Sequence, residues 1–535
     1  MNSKFLFLSV NSSYSHSSLA LPMLHSACAD VDNWSWESIE CTIAEDYADI
    51  AYQMAEKSPD LVGASLYIFN RNAVLDILGR FHRLLPQCRI VLGGPECSGD
   101  SAAELLKNNP FVKTVFVGEA EGIFAEYLKN FPHNDNDSIL PAAGAARYDN
   151  WNRTLPVNDL FFAEGKAFVQ IETSRGCPLK CKYCTSADIP LRFKDLSDVE
   201  KELETVQAKG VKEVRLLDRT FNFPQWRGAA LLKLFREKFS DIEFHLEIHP
   251  HFLDDGIKSE LRIAPNLHVE AGVQSLDENV QHAIGRNCCR QDALEGVKFL
   301  ASCHNFETHV DLICGLPEQD LKSVFDDVAD LMNCKVGEIQ LETLKILHGT
   351  AFRKNADALG LVYAPEPPYD VMQTNNLSGA DILYIRKLSR MLDLFYNHNA
   401  LHRIMLSMPF EDGNAIREFL DFSIANGVAV GKLLDLKKRV CILADYAEKK
   451  SLTAVQFEIS KAWIENSYPL GALPFGKLEK FSGTLPSELL CNDEWKKLFA
   501  HKETKIWRLV CNGFVYNFAL NRHFRVNGSA CAWQE

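Results

Sequence analysis

The sequence lacks an excess of positive charge and any long apolar run. Its 57 Lys and Arg residues are outnumbered by 71 Asp and Glu residues, which leaves a net charge of −14. A broad nucleic-acid surface needs clustered Lys and Arg, so this balance argues against nucleic acid as a partner. No stretch approaches the ~20 apolar residues of a membrane-spanning helix, and the first apolar run, residues 5–10, is too short for a signal peptide. We therefore expect a cytoplasmic protein that contacts no membrane.

The sequence also lacks a dinucleotide-binding motif and a cysteine pattern that indicates disulfides. The first 135 residues contain no Gly-x-Gly-x-x-Gly segment, which argues against a dinucleotide site. Most of the 16 cysteines stand singly in apolar surroundings, as Cys28, Cys41 and Cys88 do. In a cytoplasmic chain such thiols do not indicate disulfides, whereas a clustered trio indicates metal binding or catalysis. The neighbouring pair Cys288–Cys289 is interpreted as buried or surface thiols rather than as additional metal ligands.

One cysteine trio does exist, and the rest of the chain is organised around it. Cys177, Cys181 and Cys184 have the spacing Cys-x3-Cys-x2-Cys and follow a predicted buried strand over residues 167–173. Structural zinc sites use four protein ligands, and a [4Fe–4S] cluster is normally held by four thiolates, so three ligands leave one position open. The alternative is three buried cysteines in an ordinary loop, which the flanking Gly176 and Pro178 disfavour. The spacing therefore predicts an open metal centre.

This motif resembles that of the radical SAM superfamily. The resemblance implies that Cys177, Cys181 and Cys184 hold a [4Fe–4S] cluster. It also implies that the open iron binds the amino and carboxylate groups of S-adenosylmethionine, and that Tyr183 lies near the adenine.

Residues 1–135 alternate between strand-like and helix-like segments, which favours a doubly wound parallel sheet. Small or polar residues follow three of the predicted strands, where ligands of such sheets bind. The segments 60–67, 91–96 and 117–121 resemble the cobalamin-binding domain that precedes many radical SAM barrels. This resemblance implies cobalamin contacts from Ser13, Ser65, Leu66, Tyr67, Gly93, Gly94, Pro95, Glu96, Gly118, Glu119 and Glu121. The alternative is a flavodoxin-like scaffold that binds no nucleotide.

The sequence departs from one type of cobalamin domain. Mutase-type domains carry Asp-x-His-x-x-Gly, whose histidine ligates cobalt, but around His16 the corresponding positions are Tyr14 and Leu19. His16 is therefore expected to line a loop. The resemblance then implies cobalamin bound without a histidine ligand.

Residues 136–165 are rich in polar, Gly and Pro residues and read as a linker. Residues 166–348 carry six strand–helix units, fewer than the eight of a complete barrel. The resemblance implies the partial (β/α)6 barrel of radical SAM enzymes. Its expected contacts to S-adenosylmethionine are Tyr183, Asp218, Glu270, Gln274, Ser275 and Gly315. Each has a structural alternative, such as a helix cap for Asp218.

Strand alternation also turns three further polar groups inward in this barrel. Glu247, His249 and Glu270 point inward if Leu246 and Val269 face the helices. They are candidates for contacting the substrate or handling protons, and no residue is assigned as catalytic.

Residues 349–535 have helical apolar spacing in three segments, 379–397, 415–426 and 432–447, and Asn512-Gly513 predicts a hairpin. The stretch 363–394 resembles the uncharacterised C-terminal helical domain of one subgroup of cobalamin-dependent radical SAM proteins. The predicted fold class is therefore α/β: a Rossmann-like cobalamin-binding domain, a partial radical SAM barrel and a mainly helical C-terminal domain (349–535).

The resemblance implies a cobalamin-dependent radical SAM enzyme. Its cluster would cleave S-adenosylmethionine to a 5′-deoxyadenosyl radical, and methylcobalamin would methylate an unactivated carbon. Its partners would be a small-molecule or peptide substrate and an electron donor such as flavodoxin or ferredoxin.

Three alternatives stay open. A cyclase or rearrangement enzyme would use the same machinery without methyl transfer. A tRNA methylthiotransferase would need a second cysteine trio in the first domain, where Cys28, Cys41, Cys88 and Cys97 are scattered. A metal-dependent scaffold without catalytic activity would need a fourth ligand.

Overall fold

The computed structural model describes residues 2–133, 138–162, 166–481, 505–520 and 532–534. The chain forms two compact units: Met1–Asp320 with Thr343–Ile382, and Leu321–Glu342 with Leu383–Glu535. This division does not follow the predicted limits at 135, 165 and 348, which stay predictions. Parts of the predicted linker, residues 136–137 and 163–165, lie outside the described residues.

The first sheet has six parallel strands in the order β2-β1-β3-β4-β5-β6, which confirms the predicted doubly wound fold. Its strands are β1 Ser3–Asn11, β2 Trp34–Thr42, β3 Leu61–Ser65, β4 Arg89–Gly93, β5 Val112–Phe116 and β6 Ser138–Leu140. Its helices are α1 Ala20–Ala27, α2 Tyr47–Glu56, α3 Arg71–Leu84, α4 Ser101–Asn108 and α5 Glu121–Lys129.

Strand alternation divides the core of this sheet into two layers. Leu6 and Leu8 pack in one apolar cluster, while Phe5 and Phe7 belong to the other, because successive side chains of a strand point to opposite faces. Both faces are covered by helices, so β1, β3 and β4 are almost continuously apolar.

Two strands of this sheet were not predicted. Strand β2 lies at the edge and is only partly buried, so it lacks the continuous apolar run that marks a central parallel strand. Strand β6, Ser138–Leu140, lies inside the predicted linker, where no strand was expected. Three residues of strand are too short to produce a period in the sequence.

The second sheet has six strands, five of which lie wholly in the first unit in the order β13-β12-β11-β10-β7, all parallel. The elements of this region are β7 Phe168–Ile171, β8 Ser174–Arg175, β9 Arg192–Phe193, α6 Leu196–Ala208, β10 Glu213–Leu216, α7 Gln225–Lys238, β11 Glu243–Ile248, α8 Asp255–Leu261, β12 Leu267–Gln274, α9 Glu278–Ala283, α10 Arg290–Ser302 and β13 Glu307–Cys314. The sixth strand, β14 Glu338–Thr343, is divided between the two units. The first unit ends with α12 Ala351–Lys354, β15 Val362–Tyr363 and β16 Val371–Gln373.

The inner face of this sheet is polar. Along β12 the apolar residues Val269, Ala271 and Val273 are buried, whereas His268 and Glu270 on the other face are only partly buried. The predicted inward direction of Glu270 follows from this alternation.

The second unit is mainly helical, as predicted. Its helices are α11 Leu321–Asn333, most of α13 Gly379–Met391, the π-helical turn Leu392–Tyr396, α14 Asn399–Leu406, α15 Gly413–Ala425, α16 Leu436–Lys449 and α17 Thr453–Glu465. An antiparallel sheet follows, with β17 Lys477–Lys480, β18 Lys505–Cys511, β19 Phe514–Leu520 and β20 Ala532–Gln534. The predicted hairpin is confirmed, because Asn512 (φ +50) and Gly513 (φ +86) join β18 to β19. Within the described ranges, no helix combines the length and apolarity that crossing a bilayer requires.

Candidate functional site

The three cysteines lie on one loop that connects β8 to β9. Gly176 has φ +90, and a Cβ there would lie 2.5 Å from the carbonyl oxygens of Ile189 and Pro190. Only glycine therefore allows the start of the loop to pack against its end. The backbone at residues 176 and 189–190 therefore closes the loop.

The sulfur atoms have the surroundings that thiolate ligands need. The Leu179 amide lies 3.4 Å from Cys177 Sγ, and the Ser186 amide lies 3.4 Å from Cys184 Sγ. Burial raises the pKa of Cys181, and the neighbouring Cys184 and Cys177 raise it further. A cationic metal centre would offset this unfavourable proximity of thiolates.

The spacing of the sulfurs favours a cluster over a single ion. Thiolates bound to one zinc ion at 2.3 Å would lie about 3.8 Å apart. The sulfurs of Cys177, Cys181 and Cys184 do not all lie within 4.8 Å of one another. These residues therefore fit a polynuclear cluster.

Asp218 holds the strand that leads into this loop. Its Oδ1 accepts hydrogen bonds from the Thr173 amide (2.7 Å) and the Ser174 amide (3.0 Å), and its Oδ2 accepts one from the Thr173 hydroxyl. Burial raises the pKa of Asp218, while these hydrogen bonds act in the opposite direction. The carboxylate is fully used in positioning the loop, and its predicted contact to S-adenosylmethionine stays a prediction.

Tyr183 belongs to a chain of polar groups that reaches the end of β11. Its hydroxyl is hydrogen-bonded to Cys181 and Arg286, and burial raises its pKa. Arg286 donates to the Gly272 carbonyl oxygen (2.9 Å) and also contacts Cys288, whose Sγ lies 3.5 Å from His249 Nε2. Sequence reasoning did not single out Arg286, because nothing in its local sequence marks a buried arginine.

The other residues predicted to bind S-adenosylmethionine form tight turns at strand ends. Gln274 has φ +70 beside a register shift in β12, and the Ser275 hydroxyl accepts from the Asp277 amide (3.2 Å). Gly315 has φ +85, and a Cβ there would lie 3.2 Å from Val371. The structure thus places these groups at the carboxyl ends of β12 and β13, and their role in binding stays a prediction.

The three residues predicted to point into the barrel, Glu247, His249 and Glu270, have different neighbours. Glu247 Oε1 lies 3.6 Å from Arg219 Nη1, and burial raises its pKa. His249 is buried, and its Nδ1 accepts from the His251 amide (3.3 Å). The Glu270 carboxylate lies among histidines rather than at the strand end.

The strand-end loops of the first sheet approach one another closely. Gly94 has φ +96, and a Cβ there would lie 2.7 Å from the Leu66 carbonyl oxygen. The Leu66 amide donates to the Gly93 carbonyl oxygen (2.7 Å). Ser65 ends β3, Pro95 follows Gly94, and Tyr67 stacks on Phe69 with the ring centroids 5.5 Å apart. This edge exposes backbone to which a large planar ligand can bind.

Ser13 follows β1 at the same edge. Its hydroxyl lies 2.7 Å from His16 Nδ1, and the His16 ring packs edge-on against Phe168 at 5.2 Å. Burial lowers the pKa of His16, and the positive charges of Arg215 and Lys166 lower it further. His16 therefore lines a loop, as expected.

The carboxylates predicted to contact cobalamin also have partners within the protein. Glu96 Oε2 lies 3.2 Å from Arg71 Nη1 and accepts from the Tyr369 hydroxyl (2.7 Å). Glu121 Oε1 lies 2.8 Å from Arg175 Nη2, and Glu119 Oε2 lies 3.4 Å from Arg175 Nη1. Gly118 needs its φ of +89 because a Cβ would meet the backbone of residue 146 at 2.5 Å. The contacts of these residues to cobalamin stay a prediction.

Sequence reasoning missed the group that joins the two sheets. Arg175 stands two residues before Cys177 and contacts Glu119, Glu121 and Glu172. Its guanidinium also lies 5.1 Å from the ring centroid of the buried Trp151, which has Arg192 and Lys194 nearby as well. An arginine beside a cysteine motif, together with acidic residues at strand ends, is the signal that could have revealed it.

The comparisons identify a B12-binding domain followed by a radical SAM domain. Residues 6–128 match the B12 binding domain, and residues 171–331 match the radical SAM superfamily. Residues 357–457 match a protein family of unknown function, DUF4080, and this match includes the whole stretch 363–394 that resembles an uncharacterised helical domain. The chain thus carries a B12-binding domain and a radical SAM domain, followed by this additional region.

Curated relatives align with about half of the chain. An uncharacterized methyltransferase of Pyrococcus horikoshii is 22% identical over 53% of this chain and 66% of its own length. The cobalamin-dependent radical SAM methyltransferase TokK of Streptomyces tokunonensis is 22% identical over 51% and 45%, respectively. A tRNA-2-methylthio-N(6)-dimethylallyladenosine synthase of Clostridium tetani is 27% identical over 53% and 66%. The chain therefore spans between 45% and 66% of the length of these relatives.

Solved structures share the fold. The cobalamin-dependent S-adenosylmethionine radical enzyme OxsB, with aqua-cobalamin bound, has a TM-score of 0.59 at 12% identity and covers 93% of this chain and 84% of its own. The radical S-adenosylmethionine methyltransferase TsrM of Kitasatospora setae, with cobalamin and a [4Fe-4S] cluster bound, has a TM-score of 0.56 at 16% identity and covers 68% and 76%.

The thiols of the first domain do not form a second cluster site. Cys28, Cys41 and Cys88 are buried, and burial raises the pKa of each to about 12. Among the described residues, no cysteine trio in the first domain has ligand atoms within 4.8 Å of one another. This argues against the methylthiotransferase alternative.

Proposed function

We propose that the chain is a cobalamin-dependent methyltransferase that acts on an unactivated carbon of a small molecule or peptide. The observation that carries this proposal is the Arg175 junction. Arg175, next to the cysteine loop, contacts Glu119 and Glu121, which follow strand β5 of the B12-binding sheet. The two cofactor sites therefore meet at one buried set of ion pairs.

In this proposal each cofactor would be held by its own set of residues. Cys177, Cys181 and Cys184 would hold a [4Fe–4S] cluster, and the turns after β12 and β13 would bind S-adenosylmethionine. The loops after β1, β3, β4 and β5 would bind cobalamin through their backbone. When bound, these groups supply hydrogen abstraction and a methyl donor, while the protein orients them and excludes water.

The names of the similar proteins support methyl transfer. A methyltransferase from Pyrococcus horikoshii, TokK and TsrM are each named for it. We also propose that the substrate is a small molecule or peptide. We propose flavodoxin or ferredoxin as the electron donor.

The cofactor assignment is tested by measuring how much iron and corrinoid the protein binds. Anaerobically purified protein should contain about four irons per chain, as one such cluster requires. A variant with Cys177→Ala, Cys181→Ala and Cys184→Ala should lose this iron, and the assignment fails if the iron is kept. Hydroxocobalamin should be retained through gel filtration in equal amounts by wild type and variant, because the corrinoid does not need the cysteines.

The proposed reaction is tested by identifying the products that the enzyme forms from S-adenosylmethionine. Reduced holoenzyme incubated with candidate small molecules and peptides should release both 5′-deoxyadenosine and S-adenosylhomocysteine. Release of 5′-deoxyadenosine alone, in a protein that retains cobalamin, would replace methyl transfer by cyclisation or rearrangement. The cysteine variant is the control and should release neither product.

A further inference from the structure

Three possible metal ligands meet inside the barrel, away from the cysteine loop. Glu270 on β12 and His309 and Asp311 on β13 bring one ligand atom each within 4.8 Å of one another. The strand register causes this, because Glu270 pairs with His309 and Gly272 pairs with Asp311. None of these residues is needed for the cluster or for the Arg175 junction.

The distances between the ligand atoms are close to those around a bound ion. His309 Nε2 lies 3.5 Å from Glu270 Oε2 and 3.9 Å from Asp311 Oδ1. Ligand atoms around a tetrahedral ion with arms of 2.0–2.2 Å lie about 3.3–3.6 Å apart, so the first distance falls in this range and the second is slightly longer.

An outer layer of histidines supports this set of atoms. His309 Nδ1 lies 3.0 Å from His268 Nε2, and Glu270 Oε2 lies 3.0 Å from His245 Nε2. Metal-binding histidines usually donate their second ring nitrogen to an acceptor, and metal-binding carboxylates are usually hydrogen-bonded as well. His268 can accept the Nδ1 proton of His309, which leaves the Nε2 lone pair directed at the two carboxylates.

We propose that Glu270, His309 and Asp311 bind one divalent transition-metal ion, with zinc as the expected ion. An imidazole and two carboxylates without thiolate suit zinc and its first-row neighbours. Three protein ligands leave one position for water or for an oxygen atom of a substrate. The carboxylates face the inside of the barrel, with 31% of the Glu270 side chain and 22% of the Asp311 side chain exposed. The site differs in composition and place from the cluster, and it does not depend on the proposed methyl transfer.

The test is metal analysis of the full-length holoenzyme. The protein is dialysed against EDTA under anaerobic conditions, mixed with one equivalent of ZnSO4, desalted and analysed for zinc and iron. We expect one zinc ion per chain in addition to about four irons. Full iron content shows that the cysteines are occupied, so zinc cannot be held there. Absence of zinc from this protein would overturn the proposal.

Variants locate the ion. Glu270→Gln, His309→Gln and Asp311→Asn should each weaken zinc binding at least ~10-fold, and His268→Gln should weaken it by about 10- to 100-fold as a supporting residue. Glu260→Gln, which changes a carboxylate of similar exposure (21%) paired with Arg236, is the matched control and should bind zinc as wild type does. Each variant must keep its iron and corrinoid, which shows that the barrel is folded. Equal zinc binding by the three ligand variants would overturn the proposal.

Cobalt provides an independent readout. Co2+ added to the zinc-free holoenzyme should give d–d bands without a thiolate-to-cobalt charge-transfer band, because the donors are nitrogen and oxygen. A charge-transfer band would assign the ion to cysteines such as Cys288 and Cys289 and would contradict the site.

Discussion

At the residue scale, single buried groups position the cysteine loop. Asp218 accepts three hydrogen bonds from Thr173 and Ser174, and both residues immediately precede Arg175. A carboxylate at this place fixes the direction of the chain as it leaves β7. The position of the cysteines thus depends on a residue from the next strand of the barrel.

Replacing Asp218 should therefore disturb the cluster. Asp218→Ala leaves two buried amides and a hydroxyl without an acceptor, which should destabilise the protein by about 2–4 kcal/mol. Iron content after anaerobic purification should fall together with the thermal unfolding temperature. Asp218→Asn keeps one acceptor oxygen and should show a smaller loss of both. An Ala variant with full iron content would show that the loop holds its shape without this anchor.

His249 makes the stability of the protein depend on pH. Burial lowers the pKa of His249 to about 2, and the charges of Arg286 and His251 also lower it. Because the unfolded chain takes up the proton near pH 6.5 and the folded chain does not, the free energy of unfolding falls as pH drops below about 6.5. The slope from this residue approaches about 1.4 kcal/mol per pH unit.

The measurement is urea unfolding of the cofactor-free chain between pH 7 and pH 5. His249→Asn keeps an acceptor for the His251 amide but cannot be protonated. Its free energy of unfolding should therefore fall less steeply with decreasing pH than that of wild type. Parallel slopes for the two proteins would contradict a buried neutral histidine.

At the element scale, the loops after neighbouring strands of the first sheet combine into one surface. The loops after β3 and β4 touch through Leu66 and Gly94, so the edge expected to bind cobalamin is a backbone surface built from both. The loop after β5 extends this edge and supplies Glu119 and Glu121 to Arg175. One edge therefore serves the ligand and the junction together.

Gly94 should be essential to this edge. Gly94→Ala adds a Cβ 2.7 Å from the Leu66 carbonyl oxygen, so the two loops must separate. Gly144→Ala is a matched control, since Gly144 also has a positive φ (+75) but nothing within 4 Å. We expect Gly144→Ala to cost about 1 kcal/mol from backbone strain. Gly94→Ala should cost more and should also lose the corrinoid in gel filtration; equal retention by both variants would contradict this role.

Arg175 should couple the two sheets energetically. Arg175→Met leaves Glu119, Glu121 and Glu172 without their shared cation, and the arginine side chain is only 13% exposed. Loss of one partner from a buried ion pair costs about 3–5 kcal/mol. Arg80→Met removes an exposed pair with Asp76 and should change stability far less, because exposed ion pairs contribute little. Urea unfolding of both variants tests the difference, and similar losses would show that the junction contributes no more than a surface pair.

At the scale of the whole molecule, the chain consists of two compact units that differ in secondary structure. The first contains the B12-binding sheet and five complete strands of the barrel, and the second is mainly helical. The proposed cofactor residues all lie in the first unit. A cofactor should therefore stabilise one unit without stabilising the other directly.

Calorimetry should separate the two units. We expect two thermal transitions in the cofactor-free chain, because the chain divides into two compact units and multidomain proteins depart from two-state unfolding. Hydroxocobalamin at 100 times its Kd should stabilise the first unit by about 2.7 kcal/mol and shift only that transition. A single transition that shifts as a whole would show that the units unfold cooperatively.

The sequence by itself determined the features that depend on neighbours in the chain. The spacing of Cys177, Cys181 and Cys184, the alternation of strands and helices, and the hairpin at Asn512-Gly513 are all local patterns. Each can be read because the chemistry or the backbone geometry involves residues a few positions apart. The same limit explains why the short strand β6 was missed.

Only the tertiary structure decided which distant groups meet. Arg175 and Glu121 are 54 residues apart, and Asp218 lies 45 residues from Thr173. Glu270 meets His309 and Asp311 because β12 and β13 are paired in one particular register. A shift of one residue would turn these side chains to the helix-covered face, and no local pattern records that choice. The Arg175 junction and the candidate zinc site therefore come from strand pairing, whereas the cysteine loop is encoded directly in the chain.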